Sequence, residues 1–305
     1  MILITGGAGF IGSHLVDAFR ALGRPVRVLD DLSTGHRHNL PLDDAGIEFI
    51  EGDVAHPETV NRAVEGVEAV FHLAAIASVQ RSVEDPFGTH RANYEGTLRV
   101  LDAMVHHGVK RIIYASSAAI YGANPDLPLR ETAQPDPLSP YGVDKLAGEY
   151  ALNAYRHTHG LHPTVLRFFN VYGPRQDPSS PYSGVISIFV RACRTGQPVT
   201  LYGDGQQTRD FVFVGDLVQV LIDSLGWNRG APKRVNVGTG SPTSLLEMLA
   251  ELEQASGTTI ARRFAEARAG DVRHSLSSVD RLQSLMPGRT STPLRDGLRA
   301  VLAAS

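Results

Sequence analysis

The chain opens MILITGGAGFIGSHLVDAFRALGRPVRVLD, and no other stretch limits its folding as strongly. An apolar run meets a glycine-rich turn, then a segment with apolar residues at helical spacing, then a second β-branched run. A strand, helix and strand joined this tightly place both strands parallel in one sheet, because the helix is the crossover that returns the chain to the starting end. Parallel sheets are covered on both faces, so their strands are apolar on both sides. Later runs meet that demand: IEFIEGDV, AVFHLAA, KRIIYASS and HPTVLRFFN alternate with helical segments, among them 93–107 and the one after Pro140. The expected fold class is α/β, a doubly wound parallel (Rossmann) sheet with a smaller C-terminal substrate-binding lobe.

The texture changes near Gly173, where YGPRQDPSSPYSG reads as a loop. Short segments follow: VTLYG, RDFVFVGDLVQVLIDSL, RVNVG and a helix near Ser244–Ser256. The expected division is residues 1–172 for a cofactor-binding domain and 173–305 mainly for the lobe, some of whose segments return to the first domain. The net charge of −3 over 305 residues gives no basic footprint for nucleic acid or an anionic membrane. The one cysteine, Cys193, leaves no internal disulfide and reads as a small hydrophobe beside Phe189 and Val190. No apolar run approaches a membrane span, and MILITGG lacks the basic start of a signal peptide, so a cytoplasmic protein is expected. No metal site is expected: His106 and His107 are adjacent and point different ways on a helix.

The glycines fit a dinucleotide-binding turn in two registers, Gly7-Gly9-Gly12 and Gly6-Gly9-Gly12. Glycine is needed there because backbone must turn sharply and approach a pyrophosphate, with the helix N–H groups from Phe10 and Ile11 onward aimed at it. The second strand ends in Asp30, placed to accept from adenosine ribose hydroxyls and to repel a 2′-phosphate, which favours NAD over NADP. Asp31 reads as a loop charge. Asp53, with Val54 beside it, ends the third strand, either to meet the adenine amine or to cap the helix begun at His56-Pro57.

Tyr141 and Lys145 stand four apart near a helix start and share a face. A free tyrosine has a pKa of about 10. A neighbouring ammonium and a positive nicotinamide favour the phenolate, making Tyr141 a base for a sugar or alcohol hydroxyl. Ser117, at the end of YASS, is positioned to hydrogen-bond the same oxygen.

Taken together, TGGAGFIGSHL, LDDLSTG, HLAA, NYEGT, SSAAIYG, YGVDK, RFFNVYGP, GDGQQTRDFVFVGDL, NVGTG and RAGDVRHS resemble the extended short-chain dehydrogenase/reductases over nearly the whole chain, and within them the nucleotide-sugar 4-epimerases. The resemblance implies that Ser117, Tyr141 and Lys145 are catalytic, with Lys145 also on the nicotinamide ribose. It implies that Leu73, Ala74 and Ala75 line the cofactor channel and that Asn93 touches it. It implies that Asn170 contacts the sugar diphosphate, that Arg209 and Arg268 grip the UDP phosphates, that Asp271 contacts the nucleoside ribose, and that two subunits pair as a homodimer.

Ala118 and Ala119 follow Ser117 where dehydrating relatives carry an Asp-Glu pair and decarboxylating ones a Glu. No further acid or base is available, so redox at one carbon remains. The expected activity is NAD-dependent 4-epimerisation of a UDP-sugar through a 4-keto intermediate. The resemblance also implies a pocket-wall position, seven beyond Arg268, whose bulk limits the sugar's C2 substituent; Ser275 stands there and is small enough for an N-acetyl group. UDP-glucuronic acid stays open as an alternative substrate, with Arg81, Arg175 and Arg191 as cations for its carboxylate. A nucleotide-sugar dehydrogenase that releases NADH and a non-catalytic NAD sensor are the other readings.

Overall fold

The computed structural model describes residues 1–176, 184–227, 233–267 and 272–304. Every side chain of β1 (Ile2–Thr5) is buried, as a strand covered on both faces requires. The elements continue as α1 (Phe10–Ala21), β2 (Val26–Asp30), β3 (Ile47–Glu51), α2 (Pro57–Val64) and β4 (Ala69–His72). Two short helices, α3 (Val79–Glu84) and α4 (Pro86–His90), lead through a π-helical turn at Arg91–Glu95 into α5 (Gly96–His106) and β5 (Arg111–Ser117). Next come α6 (Pro140–His159), β6 (His162–Phe168), β7 (Asn170–Tyr172), α7 (Val185–Thr195), β8 (Val199–Tyr202), β9 (Thr208–Arg209) and β10 (Phe211–Phe213). The chain ends with α8 (Val214–Ser224), β11 (Lys233–Val237), β12 (Thr243–Ser244), α9 (Leu245–Ser256), β13 (Arg262–Ala265), α10 (Asp280–Leu285) and α11 (Leu294–Ala303).

Seven strands form one sheet in the order β11-β6-β5-β4-β1-β2-β3. The pairs from β5 to β3 are parallel. The order reverses between β1 and β4, the switch point at which a doubly wound sheet leaves a crevice beyond its strand ends. The fold class is therefore the expected Rossmann-like one.

The chain forms two compact units: 1–120 with 137–167 and 218–235, and 121–136 with 168–217 and 236–305. The first unit thus takes back a segment beyond the expected boundary at 172, and the second draws in 121–136 from before it. In the first, Leu3, Leu29, Val70, Leu101, Ile112 and Leu152 belong to the buried core. α6 starts at a Ser139 side chain that accepts from Gly142 N–H, carries Pro140 in its first turn and stops at Gly160 in the left-handed conformation. In the second unit, Tyr172, Phe189, Val190, Met248 and Leu298 form a separate core, with Cys193 packed against it. Beside this core β7–β10, β9–β12 and β8–β13 form short two-stranded pairs. No helix among the described residues is long and apolar enough to cross a membrane.

Candidate active site

The glycine turn closes on itself. Gly6 has a φ of 70°, and a Cβ there would lie 2.8 Å from Ala74 N; a Cβ at Gly12 would lie 2.7 Å from Gly7 Cα. Glycine alone fits both positions. α1 begins at Gly9 with no side-chain cap and no acid in its first turn, so the N-terminal end at Phe10 and Ile11 keeps its positive dipole for an anion. Asp30 is buried at the end of β2 and accepts from Ala8 N at 2.9 Å and from Leu32 N at 2.9 Å. Leu32 takes a left-handed backbone (φ 58°) two residues beyond the Asp30 whose carboxylate its N–H meets. Burial pushes the Asp30 carboxyl up, and these N–H groups oppose it. Asp31 turns outward and accepts from Ser33 N and Oγ. The backbone cradle, the open helix end and the acid at the strand tip fit a dinucleotide.

Asp53 neither caps α2 nor stands free: its Oδ1 accepts from Ala55 N at 2.7 Å, and its Oδ2 pairs with Arg91 at 2.7 Å. The cap position belongs to His56, whose side chain makes no capping bond. Val54 is buried under Gly96, where a Cβ would lie 2.7 Å from Val54 Cγ2. Leu73, Ala74 and Ala75 are half-buried just beyond β4. Asn93 is buried in the π-helical turn, and its amide is engaged with protein. Its Oδ1 accepts from Ile76 N at 2.7 Å and its Nδ2 donates to Ile76 O at 3.1 Å, which clamps the loop after β4.

The structure brings Ser117, Tyr141 and Lys145 together. Ser117 lies beside Tyr141, where its hydroxyl favours the ionised phenol; Ser117 Oγ also accepts from Ala119 N at 3.1 Å. Lys145 Nζ donates to Ala115 O at 2.8 Å and lies 5.1 Å from the Tyr114 ring centroid and 5.9 Å from that of Tyr141. The burial of Tyr141 works against the lowering expected from Lys145 and a positive nicotinamide. Burial pushes the phenol up, and only the Ser117 hydrogen bond opposes it. Lys145, buried too, is itself pushed down to about 8, with Asp144 alone raising it.

Two glycines let α6 come this close. A Cβ at Gly142 would lie 2.9 Å from Ala119 O, and one at Gly148 would lie 2.7 Å from Tyr114 Cζ. One turn beyond Lys145, Glu149 is buried. Its Oε1 accepts from Ser116 Oγ at 2.7 Å and Arg167 Nε at 2.9 Å. Its Oε2 accepts from Arg167 Nη2 at 2.7 Å and pairs with Arg234 at 3.2 Å. This anchor ties α6 to β5, β6 and β11, and Ser116 is the neighbour of Ser117. The sequence reading missed it, although Glu149 stands four residues after Lys145.

In the second unit, Asn170, Arg209 and Ser275 converge on β9 and β10. Asn170 N donates to Asp210 O at 3.0 Å, with its side chain exposed. Arg209 Nη1 donates to Thr208 O at 3.0 Å, and Ser275 N donates to the same oxygen at 3.1 Å. Between them lies Asp210, fully buried and also missed in the sequence. Its Oδ1 accepts from Thr239 N and Oγ1 at 2.7 and 2.6 Å; its Oδ2 accepts from Gly240 N, Ser277 N and Ser277 Oγ at 3.1, 3.2 and 2.5 Å. The RDF run was the available signal. Arg268 and Asp271 lie outside the described residues. No group of three or more His, Cys, Asp or Glu among the described residues is placed to hold a metal.

Comparison with known proteins agrees with this geometry. The UDP-glucose 4-epimerase of Mycolicibacterium smegmatis is 38% identical over 300 residues, covering 97% of this chain and 95% of that protein. A UDP-N-acetylglucosamine 4-epimerase from Methanobrevibacter ruminantium, solved with UDP-N-acetylmuramic acid, superposes with a TM-score of 0.95 at 32% identity, covering 99% of this chain and 97% of that one. The UDP-glucose 4-epimerase of Thermus thermophilus, solved with NAD, gives a TM-score of 0.91 at 38% identity, covering 99% and 98%. The model of the NAD dependent epimerase/dehydratase family matches residues 2–238, and the chain belongs to that family.

Proposed function

We propose that this chain is an NAD-dependent 4-epimerase of a UDP-sugar, either the glucose/galactose pair or its N-acetylated counterpart. One observation carries the reading. The Ser117–Tyr141–Lys145 constellation stands complete at the end of β5 while Ala118 and Ala119 beside it offer no second acid or base. The relatives that act on UDP-glucose and UDP-N-acetylglucosamine support both the reaction and the sugar class.

Gly6, Gly9, Gly12, Phe10 and Ile11 hold the pyrophosphate, Asp30 the adenosine ribose, and Leu73–Ala75 the wall beside it. NAD held there would supply the hydride acceptor and donor for C4 of the sugar, the chemistry that a 4-keto sugar requires. Tyr141 Oη takes the C4 hydroxyl proton and later returns it. Ser117 orients that hydroxyl. Lys145, held on Ala115 O, keeps a positive charge close to the phenol; it lowers the cost of phenolate once a further positive charge lies nearby. Asn170, Arg209 and Ser275, with Arg268 and Asp271, hold the UDP-sugar, the arginines acting as bidentate phosphate donors.

The subunit pairs with a second copy through the helices that begin near Asn93 and Tyr141; exposed Val143 and Tyr150 on α6, and Val83 and Phe87 on α3 and α4, support that interface, Phe87 being 88% exposed. Phe87→Glu leaves a monomer in light scattering; a Phe87→Glu dimer refutes this surface. The protein works in the cytoplasm, as its single cysteine suits.

The direct test incubates the purified enzyme, with no added cofactor, with UDP-glucose, UDP-N-acetylglucosamine or UDP-glucuronate. Proton NMR follows the sugar H1 and H4 while absorbance follows reduced cofactor. Appearance of the C4 epimer without net NADH is expected, and Tyr141→Phe abolishes it. Stoichiometric NADH with release of an oxidised sugar refutes the epimerase in favour of a dehydrogenase.

A further inference from the structure

β4 ends in His72, whose ring is 1% exposed. Its Nδ1 lies 2.7 Å from Thr5 Oγ1, and its Nε2 lies 3.0 Å from Thr97 Oγ1. The neighbours fix where each proton sits. Thr97 Oγ1 donates to the Asn93 carbonyl at 2.6 Å, so its one proton is engaged and it accepts from His72 Nε2–H. The bare Nδ1 then accepts from Thr5 Oγ1, which itself accepts from Ala74 N–H at 3.2 Å. Donation runs one way through the whole chain: Ala74 N–H, Thr5, His72, Thr97, Asn93 carbonyl. A proton on Nδ1 breaks this order, because it sets an N–H against the Thr5 hydroxyl. Burial, with the Lys145 charge adding to it, pushes the ring down to about 3.

Both ends of the chain reach one loop. Ala74 is part of it, and Asn93 clamps Ile76 through both its amide atoms. None of these groups belongs to the second unit, which carries Asn170, Arg209 and Ser275.

We propose that His72 is a positioning residue for the cofactor: its Nε2–H tautomer, held between Thr5 and Thr97, ties residues 73–76 to β1 on one side and to the Arg91–Glu95 turn on the other, and so fixes the wall of the dinucleotide cradle. The proposal rests on the functional reading above, and it makes His72 a neutral brace rather than an acid or base.

The test uses the holoenzyme as purified. His72→Phe keeps a ring of similar size but neither hydrogen bond; His72→Asn keeps an acceptor for Thr5. NAD retained through gel filtration is measured beside UDP affinity by calorimetry. The brace predicts NAD held roughly tenfold or more weakly in His72→Phe, with UDP affinity within about twofold of wild type and partial recovery in His72→Asn. Undiminished NAD retention in His72→Phe of an active enzyme overturns the proposal alone. A wild type that carries no NAD and interconverts no UDP-sugar overturns the functional reading and the proposal with it. If His72→Phe does not fold, NMR of wild-type holoenzyme labelled with 15N-histidine decides. One ring with a bare Nδ1 and a protonated Nε2, unmoved between about pH 6 and pH 9, supports the brace; a spectrum in which every ring titrates overturns it.

Discussion

Removing either partner of the Glu149–Arg167 pair should cost far more stability than removing both. Both side chains are almost wholly withdrawn from solvent, at 1% and 3% exposure, and two parallel bonds join them, with Arg234 and Ser116 also on the carboxylate. Glu149→Met takes the carboxylate from the buried Arg167 guanidinium on β6, and Arg167→Met takes from the carboxylate the only one of its two arginines that is itself buried. Each should cost about 3–5 kcal/mol, the range for breaking a buried pair from one side. The double variant removes both charges and fills the space with apolar side chains. Arg234, a third exposed, turns to water, and Ser116 Oγ loses its acceptor, which costs about 1 kcal/mol. The double variant should therefore lie within about 1–2 kcal/mol of wild type. Urea unfolding followed by Trp227 measures this directly, since the chain's one tryptophan is buried in the same unit as the pair. Two single variants that each lose less than about 1 kcal/mol, or a double variant no more stable than the worse single one, refute the reasoning.

Gly148→Ala should destabilise by about 1–3 kcal/mol through overpacking against Tyr114 and lower kcat by moving Lys145 off Ala115 O; removing the hydroxyl in Gly148→Ala/Tyr114→Phe should recover part of both in unfolding and initial-rate assays. Lys145 titrates at about 8 in the fold against 10.5 as a free side chain, so between those values the unfolded chain binds more protons. Stability therefore rises with pH through that window on account of this group, by up to about 3 kcal/mol. Urea titrations at stepwise rising pH should show that rise in wild type and its absence in Lys145→Met. Asp210→Asn replaces an acceptor of five hydrogen bonds by an amide that sets N–H groups against N–H and O–H donors. UDP affinity should fall about tenfold by calorimetry while retained NAD is unchanged.

The order of apolar runs, the glycine turn and the YxxxK spacing were decisive in the sequence because each is a local property. A strand buried on both faces must be apolar on both, a backbone that turns into a helix dipole must lack a Cβ, and residues four apart on a helix must share a face. Asp30, Ser117, Tyr141 and Lys145 could thus be picked out before any coordinates. What depends on groups distant in the chain was not legible. Asp53 meets Arg91, Glu149 gathers Ser116, Arg167 and Arg234, Asp210 gathers Thr239, Gly240 and Ser277, and His72 links Thr5 to Thr97. Nothing in the spacing of these residues pairs them; the register of parallel strands and the packing of helices across them does. The direction of the Tyr141 shift belongs to the same class. Lys145 and a positive nicotinamide argued for a lowered phenol, but burial is a property of the fold, and it pushes both the phenol up and the lysine down. The sequence by itself determined which chemistry the chain carries; tertiary structure alone decided which groups hold that chemistry in place, because only burial makes an unpaired polar atom costly enough to choose its partner.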